Sequence, residues 1–246
     1  LMRGTPLDSE SGRLRETQVV IGRRSDAPPS SFPVQQARFV PSPPGSDLQA
    51  GLQQLVDWMR ADRRDQIDPV VAAAMSHHEF EALHPFRDLI VLYLQAVGVL
   101  SEPTLTVSPW FEARRGEYYD HLLGVSTHGA WDDYIRFFAL GLQQAAENTR
   151  HEMVALSRVQ GELKEIIRRT TLRADSAHAL VDLAVANPSF TVRKVEAELG
   201  VSYGRANKLV GQLVELGVLD VVDANAYKRR FFAPRVIAVL TARGGA

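Results

Sequence analysis

Glu81-Ala82-Leu83-His84-Pro85-Phe86-Arg87-Asp88 runs straight into Leu89-Ile90-Val91-Leu92-Tyr93-Leu94, and the reading of this stretch decides how the rest of the chain is organised. Proline cannot continue a helix, and it disfavours the α region for the residue before it. His84 is therefore expected where a helix gives way to a loop, with its ring free to face a cleft. The apolar run from Leu89 to Val97, interrupted by Gln95 and followed by Gly98, reads as a buried helix with a glycine stop. It is well short of the ~20 residues needed to span a bilayer. An imidazole and a carboxylate, His84 and Asp88, thus share one short loop. A neutral imidazole accepts protons near neutral pH, and a carboxylate suits magnesium, which binds through one or two carboxylates plus substrate phosphates. Taken alone the pair carries little weight, because a histidine at a helix end is more often a satisfied structural residue.

Upstream, Asp68 caps a helix that has Pro69 in its first turn and continues through Val70, Val71, Ala74 and Met75 towards His84. Ser46 and Gln49 read as a capping box for an earlier helix, with Leu48, Leu52, Leu55, Val56 and Met59 at helical spacing. Residues 1–45 lack that periodicity. There, two β-prone runs, Gln18 to Ile21 and Ala37 to Val40, flank Pro28-Pro29 and Ser30-Ser31, a pattern suited to a long hairpin. Downstream, Ser108-Pro109 opens a helix in which Phe111, Tyr118, Leu122 and Val125 share a face. A long helical segment then starts at Trp131 and continues through Ile135, Phe138, Leu142, Ala145 and Met153 to about Arg169. Its first half is apolar enough to complete a bundle. Its second half, rich in Glu, Arg and Gln, reads as a projecting connector, which places a domain boundary near Thr170 and divides the chain into residues 1–170 and 171–246. Three short helices follow, Ala177 to Ala186, Thr191 to Leu199 and Tyr203 to Leu216, with Gly200-Val201-Ser202 as the turn before the third. Val218 to Val222 and Arg230 to Phe232 flank the turn-prone Asp223-Ala224-Asn225-Ala226. This pattern resembles a winged helix-turn-helix.

The chain of 246 residues is 45% hydrophobic and 23% charged, which describes an ordinary soluble globular protein. The absence of cysteine excludes a disulfide framework and cysteine-built zinc sites, and points to a reducing, cytoplasmic setting. A net charge of -1 excludes wholesale nucleic-acid binding, so any such activity must come from a local basic patch. No membrane partner is expected, and a homodimer is left open. Leu1-Met2 is neither a usual start nor a leader, so the sequence reads as beginning inside a longer chain.

The opening stretch resembles the first half of the Fic signature, H-P-F-x-D/E-G-N-G-R-x-x-R. The resemblance extends to Gly12-Arg13-Leu14-Arg15 with Gln18-Val19-Val20-Ile21-Gly22, to Phe39-Val40-Pro41-Ser42-Pro43-Pro44, and to Trp110-Phe111-Glu112-Ala113-Arg114-Arg115 with Tyr118-Tyr119. It implies a mainly α protein: a Fic-like helical bundle with an N-terminal β-hairpin flap, followed by the winged helix-turn-helix. The implied activity is nucleotidyl transfer, in which AMP moves from ATP, with Mg2+, to a Ser, Thr or Tyr hydroxyl of a target protein or of the chain itself. On that likeness His84 is the base, Asp88 holds the magnesium, Phe86 anchors the loop and Pro85 fixes its entry angle. Tyr119, Leu122 and Ser126 line the adenine pocket, and a flap near residues 18–40 holds the target segment by strand addition. The second half of the signature is absent, because Leu89 follows Asp88 directly and no G-x-x-x-x-G-K-S/T occurs elsewhere. Transfer is thus expected only if the G-N-G-R-x-x-R loop exists in the full-length protein. The family's inhibitory S/T-x-x-x-E-G/N helix is likewise not in the sequence and would lie before Leu1.

Two other readings stand beside this one. His77, Glu81 and His84 share a helical face, but the zincin pattern H-E-x-x-H fails at Ala82. In the C-terminal region, Tyr203, Arg205, Asn207 and Lys208 fall on the exposed first turns of the presumed recognition helix, and Lys228, Arg229 and Arg230 at the wing. The first group suits contact with bases and the second contact with phosphates. Alternatives to AMP transfer are therefore a DNA-binding regulator with a degenerate Fic domain, and a Fic relative transferring another phosphate-containing group.

Overall fold

The computed structural model describes residues 14–24, 28, 32–61, 63, 65–84, 90–102, 104–170, 172, 174–223 and 229–242. The chain is mainly helical and forms two compact units that divide between Glu147 and Asn148. The first unit begins with strands β1 (Ile21–Arg23) and β2 (Ala37–Phe39), joined through a helical turn α1 (Pro33–Gln36). It continues with α2 (Ser46–Arg60), α3 (Pro69–Leu83), α4 (Ile90–Ala96), α5 (Ser108–Ala113) and α6 (Arg115–His128), and takes in the start of α7 (Trp131–Arg168). The second unit holds the rest of α7, then α8 (Ala174–Ala186), α9 (Val192–Leu199), α10 (Tyr203–Glu215), β3 (Asp220–Val221), β4 (Phe231–Phe232) and α11 (Pro234–Thr241).

The N-terminal hairpin is antiparallel, with Ile21 opposite Phe39 and Arg23 opposite Ala37. It starts three residues later than the expected Gln18 to Ile21 run, and ahead of it the Gln18 side chain bonds Pro41 O at 3.0 Å. Gly22 adopts φ +66, and a Cβ on it would stand 3.0 Å from Arg38 Cδ, so glycine alone fits this crossing.

The expected capping box at Ser46 does not form, because the N-cap is Gly45 at φ 113, a conformation open to glycine. Asp68 does cap α3, accepting from Val70 N at 2.8 Å with Pro69 next to it. Helix α3 is the centre of the first unit, buried around most of its circumference as a fully enclosed helix must be. Its Ala72, Ala73 and Ala74 pack with Tyr93, Phe111, Val125, Tyr134 and Phe138 from α4, α5, α6 and α7. Further along, Phe80 and Leu83 join Leu48 and Leu55 of α2. The single helix expected after Ser108 is two, broken at Arg114 with φ -119 and ψ 31, just before the weak helix former Gly116. Phe111 and Tyr118 nevertheless reach one core.

In the second unit the later half of α7 is not a bare connector. Leu163 and Ile167 are fully buried with Leu180, Val181, Val195, Val210 and Leu213, which moves the boundary from Thr170 back into α7. Of the polar residues that suggest a connector, Gln160 and Lys164 pair with Asp182 of α8, and Glu162 with Arg235 of α11. Thr191 caps α9, Gly200 ends it at φ 61, and Ser202 caps α10. The β3–β4 hairpin pairs Asp220 with Phe232 and Val221 with Phe231, and Phe190 bridges to Phe231. It is shorter than the expected Val218 to Val222, because Val218 N and Leu219 N donate back to Leu213 O at 3.0 and 3.1 Å and close α10 instead. Helix α11 was not anticipated, although Pro234 at its first turn and Val236, Ile237 and Leu240 at helical spacing carry the signal.

Candidate active site

Helix α3 ends as the His84-Pro85 junction demands. His84 is the cap residue, in the left-handed conformation with φ 47 and ψ 51, and its N–H donates to Phe80 O at 2.7 Å. Its side chain is 34% exposed, enough for solvent or a substrate to reach the ring. The Nδ1 atom is shielded and lies 3.5 Å from Glu81 Oε2, so the exposure comes from the rest of the ring. A carboxylate on that side favours the tautomer with the proton on Nδ1 and leaves the Nε2 lone pair free to accept one. Pro85, Phe86 and Asp88 lie outside the described residues. Among the described residues no three carboxylate, imidazole or thiol groups converge on a metal-sized site.

The hairpin lies against this helix end. Ser42 N donates to Ala82 O at 3.4 Å. Arg15 donates through Nε to His84 O and through Nη2 to Leu83 O, both at 3.1 Å. The same guanidinium bonds Thr17 O through Nη1, and Ser42 O. On β2, Arg38 pairs with Asp120 of α6 and lies 6.0 Å from the Tyr119 ring centre.

Between hairpin, α3 and α6 is a narrow cleft of about 20 Å³, open on one side to solvent. Its lining brings Tyr119, Leu122 and Ser126 together with Ile21, Phe39 and Leu123, an apolar sleeve in which Ser126, His78, Glu81 and Arg38 are the polar members. Nothing in it could neutralise a triphosphate apart from Arg38, whose guanidinium is already paired with Asp120.

Of the two histidines of α3, His77 serves the core and His78 lies between the core and the pocket. His77 is packed among Phe111, Tyr118 and Phe138, with ring centres 5.5 to 5.9 Å apart, and its Nε2 is 2.8 Å from Tyr118 Oη. Burial pushes the His77 imidazole down to about 4, partly countered by the Glu81 carboxylate. His78 sits edge-on to Trp131 and Tyr134, and its Nε2 lies 3.3 Å from Leu122 O and 3.4 Å from Ser126 Oγ. Burial lowers it too. The shared face of His77, Glu81 and His84 is therefore divided between an aromatic core and a helix end and does not converge on a metal. Sequence reasoning missed Arg15, Arg38 and His78 as individual site residues. Arg15 stands in the stretch Gly12-Arg13-Leu14-Arg15, Arg38 in the β-prone run Ala37 to Val40, and His78 at the first position of the H-E-x-x-H pattern that fails.

In the second unit Tyr203, Arg205, Asn207 and Lys208 are exposed on α10, while Ala206, Leu209, Val210 and Leu213 are buried. Arg193 lies 5.0 Å over the Tyr203 ring. Arg229 lies 5.9 Å from the Phe231 ring, and Arg230 Nε donates to Ser189 Oγ at 2.8 Å. Lys228 lies outside the described residues.

A model of the Fic/DOC family matches residues 3–88, ending at the Asp88 where the signature breaks off. The protein adenylyltransferase fic-1 of Caenorhabditis elegans is 27% identical over 159 residues, covering 63% of this chain and 26% of that protein. The protein adenylyltransferase Fic of Culex quinquefasciatus is 28% identical over 138 residues, covering 53% of this chain and 23% of its own. The chain thus spans about a quarter of the length of these curated relatives. A crystal structure of a Fic family protein from Desulfovibrio desulfuricans G20 aligns with 95% of this chain and 65% of that one, at 21% identity and a TM-score of 0.45.

Proposed function

We propose that the first unit is a Fic-type nucleotidyltransferase module that moves AMP from ATP to a Ser, Thr or Tyr hydroxyl of a protein, with His84 as the base. One observation carries this reading: a part-exposed imidazole at the left-handed end of α3 stands beside a two-stranded hairpin, both inside the segment the family model matches, and an apolar cleft completed by α6 lies next to them. In the proposed step the hydroxyl oxygen attacks the α-phosphorus and its proton passes to His84 Nε2. The bond from the α-phosphorus to the bridging oxygen breaks, and pyrophosphate leaves. Tyr119, Leu122 and Ser126 would receive the adenine, and β1 and β2 would offer their edges to an extended target segment. Asp88 would hold the magnesium, which when bound neutralises phosphate charge. The cysteine-free composition fits work in a reducing, cytoplasmic compartment, and no helix among the described residues is long and apolar enough to cross a membrane.

The phosphate cradle is what the chain lacks, since Leu89 follows Asp88 where the signature continues G-N-G-R-x-x-R. The test compares the chain as it stands with the chain carrying that loop between Asp88 and Leu89, using α-labelled ATP and added magnesium. Label should pass to protein only with the loop, and His84→Ala should abolish transfer while sparing nucleotide binding. Undiminished labelling by His84→Ala sinks the mechanism. Label arising only from a different phosphate-containing donor would assign the module to another Fic-type transfer.

A second reading concerns the other unit, and the exposed row Tyr203, Arg205, Asn207 and Lys208 at the start of α10 favours it. We read α8, α9, α10 and the β3–β4 hairpin as a winged helix-turn-helix that contacts DNA, with the first unit then a degenerate Fic module. Affinity should fall steeply with salt, with a slope set by the few phosphates these cations neutralise. Replacing Arg229 should weaken all sequences alike, whereas replacing Arg205 or Asn207 should relax base preference. Arg230, tied to Ser189, should matter less. Absence of duplex binding at low salt would remove this reading.

A further inference from the structure

We infer that Arg15 is the positioning residue for His84, closing the end of α3 from the base of the hairpin and holding the imidazole-bearing residue in its left-handed conformation. The inference rests on the reading of His84 as the base. A helix leaves its last carbonyls without intrahelical partners, and the usual remedy is a glycine in the left-handed region followed by residues whose N–H groups fold back on them. Here one local bond remains, His84 N to Phe80 O at 2.7 Å, but the glycine and the following N–H are both missing. The left-handed position is held by a histidine, the one non-glycine residue with positive φ among those described. The next residue is Pro85, which has no N–H to return.

The carbonyls are satisfied from far along the chain instead. Arg15 gives Nε to His84 O and Nη2 to Leu83 O, each at 3.1 Å, while Ser42 N takes Ala82 O. A cation also suits the negative end of the helix dipole. Arg15 is itself held in place, because Leu14 beside it packs partly buried against Leu48, Leu55, Phe80 and Leu83. The remaining donors reach both stems of the hairpin, Thr17 O before β1 and Ser42 O after β2. One planar fork therefore sets the backbone of His84 and the hairpin base in a single arrangement. Lysine, a point charge with freely rotating donors, cannot reproduce that geometry.

The test compares Arg15→Ala and Arg15→Lys with the parent chain. In the chain as it stands, NMR reads the backbone coupling and Cα shift of His84, and hydrogen exchange reads the amides of His84 and Ser42. Both variants should lose the left-handed signature of His84, and Ser42 should exchange faster, with alanine affected more than lysine. In the chain carrying the inserted loop, kcat for label transfer should fall on the order of 100-fold for alanine while KM for ATP holds, since a displaced base leaves nucleotide contacts in place. Arg15→Lys, which keeps the cation, serves if the alanine variant does not fold. A folded variant with the parent's His84 coupling, Ser42 exchange and kcat overturns the inference. Transfer that survives His84→Ala would instead overturn the functional reading, leaving the backbone result to stand.

Discussion

The helix ends of the second unit and the end of α3 in the first are closed by opposite means. Thr191 and Ser202 accept from N–H groups three residues ahead, and Gly200 ends α9 with its own positive φ, so every partner is a near neighbour. Around His84 the partners lie 68 and 69 positions away at Arg15, and the residue in the strained conformation is a histidine followed by proline. Local closure serves stability and can be lost one cap at a time. Closure from a distance makes the helix end depend on the hairpin, which suits a site whose parts must be held together, and it concentrates the consequences of a single change.

The largest effect expected from breaking the distant arrangement is Phe80→Ala. Its ring is buried between the α2 residues and Leu83, so truncation should cost about 3–5 kcal/mol. Trp58, Trp110 and Trp131 all belong to the first unit, so their fluorescence during urea denaturation reads the loss. A shift under 1 kcal/mol, on the order of a surface change, would show that the α3 end is not supported from below.

His77 sharpens the contrast through pH. Its folded value, about 4, lies below the unfolded 6.5, so the unfolded chain binds the proton more readily. The stability this group contributes is intact above 6.5 and is lost as pH falls through about 4, amounting to roughly 3 kcal/mol at most. In His77→Gln the urea midpoint should fall less between pH 6.5 and 4.5 than in the parent. An unchanged slope would place the acid sensitivity elsewhere.

Gly141→Ala should follow at about 1–3 kcal/mol, because a Cβ there would stand 2.7 Å from Trp110 Cε3, a rigid ring with little room to retreat. Thermal melting measures it, and an unchanged or raised midpoint would mean that Trp110 shifts freely. The smallest effect belongs to the local side. Thr191→Ala should cost about 1 kcal/mol and speed exchange at the first amides of α9, Lys194 among them, without altering His84. If it cost as much as Phe80→Ala, the distinction between the two regions would fail.

The same distinction explains what was legible. Asp68-Pro69 acts within a few residues and reads directly from the sequence, as does the exposed row of α10; Thr191, Gly200 and Ser202 act as locally but read only as a helix start and a turn. The expected capping box at Ser46 failed because Gly45 could take a conformation that no pattern of hydrogen-bonding side chains announces. The connector assigned to late α7 failed because its buried residues, Leu163 and Ile167, are few among charged ones and gain meaning only against α8 and α9. At the candidate site, His84 and the trio Tyr119, Leu122 and Ser126 were named from a resemblance, and the pocket does bring that trio together. The elements carrying Arg38 and His78 were read, but not where these side chains turn, since an arginine in a strand and a histidine on a helix look the same wherever they point.

By itself the sequence determined that a helix must stop at Pro85 with His84 at its end, that the chain is mainly helical, and that Leu89 follows Asp88 directly. These follow from backbone sterics, periodicity and the order of residues, all of which act along the chain. Only the tertiary structure decided that Arg15 closes that helix and that the hairpin ladder begins with Ile21 opposite Phe39. It also decided that one of two adjacent histidines is sunk in an aromatic core while the other edges a pocket. Those outcomes depend on hydrogen bonds and burial between residues tens of positions apart, and their energy exists only once the elements have packed.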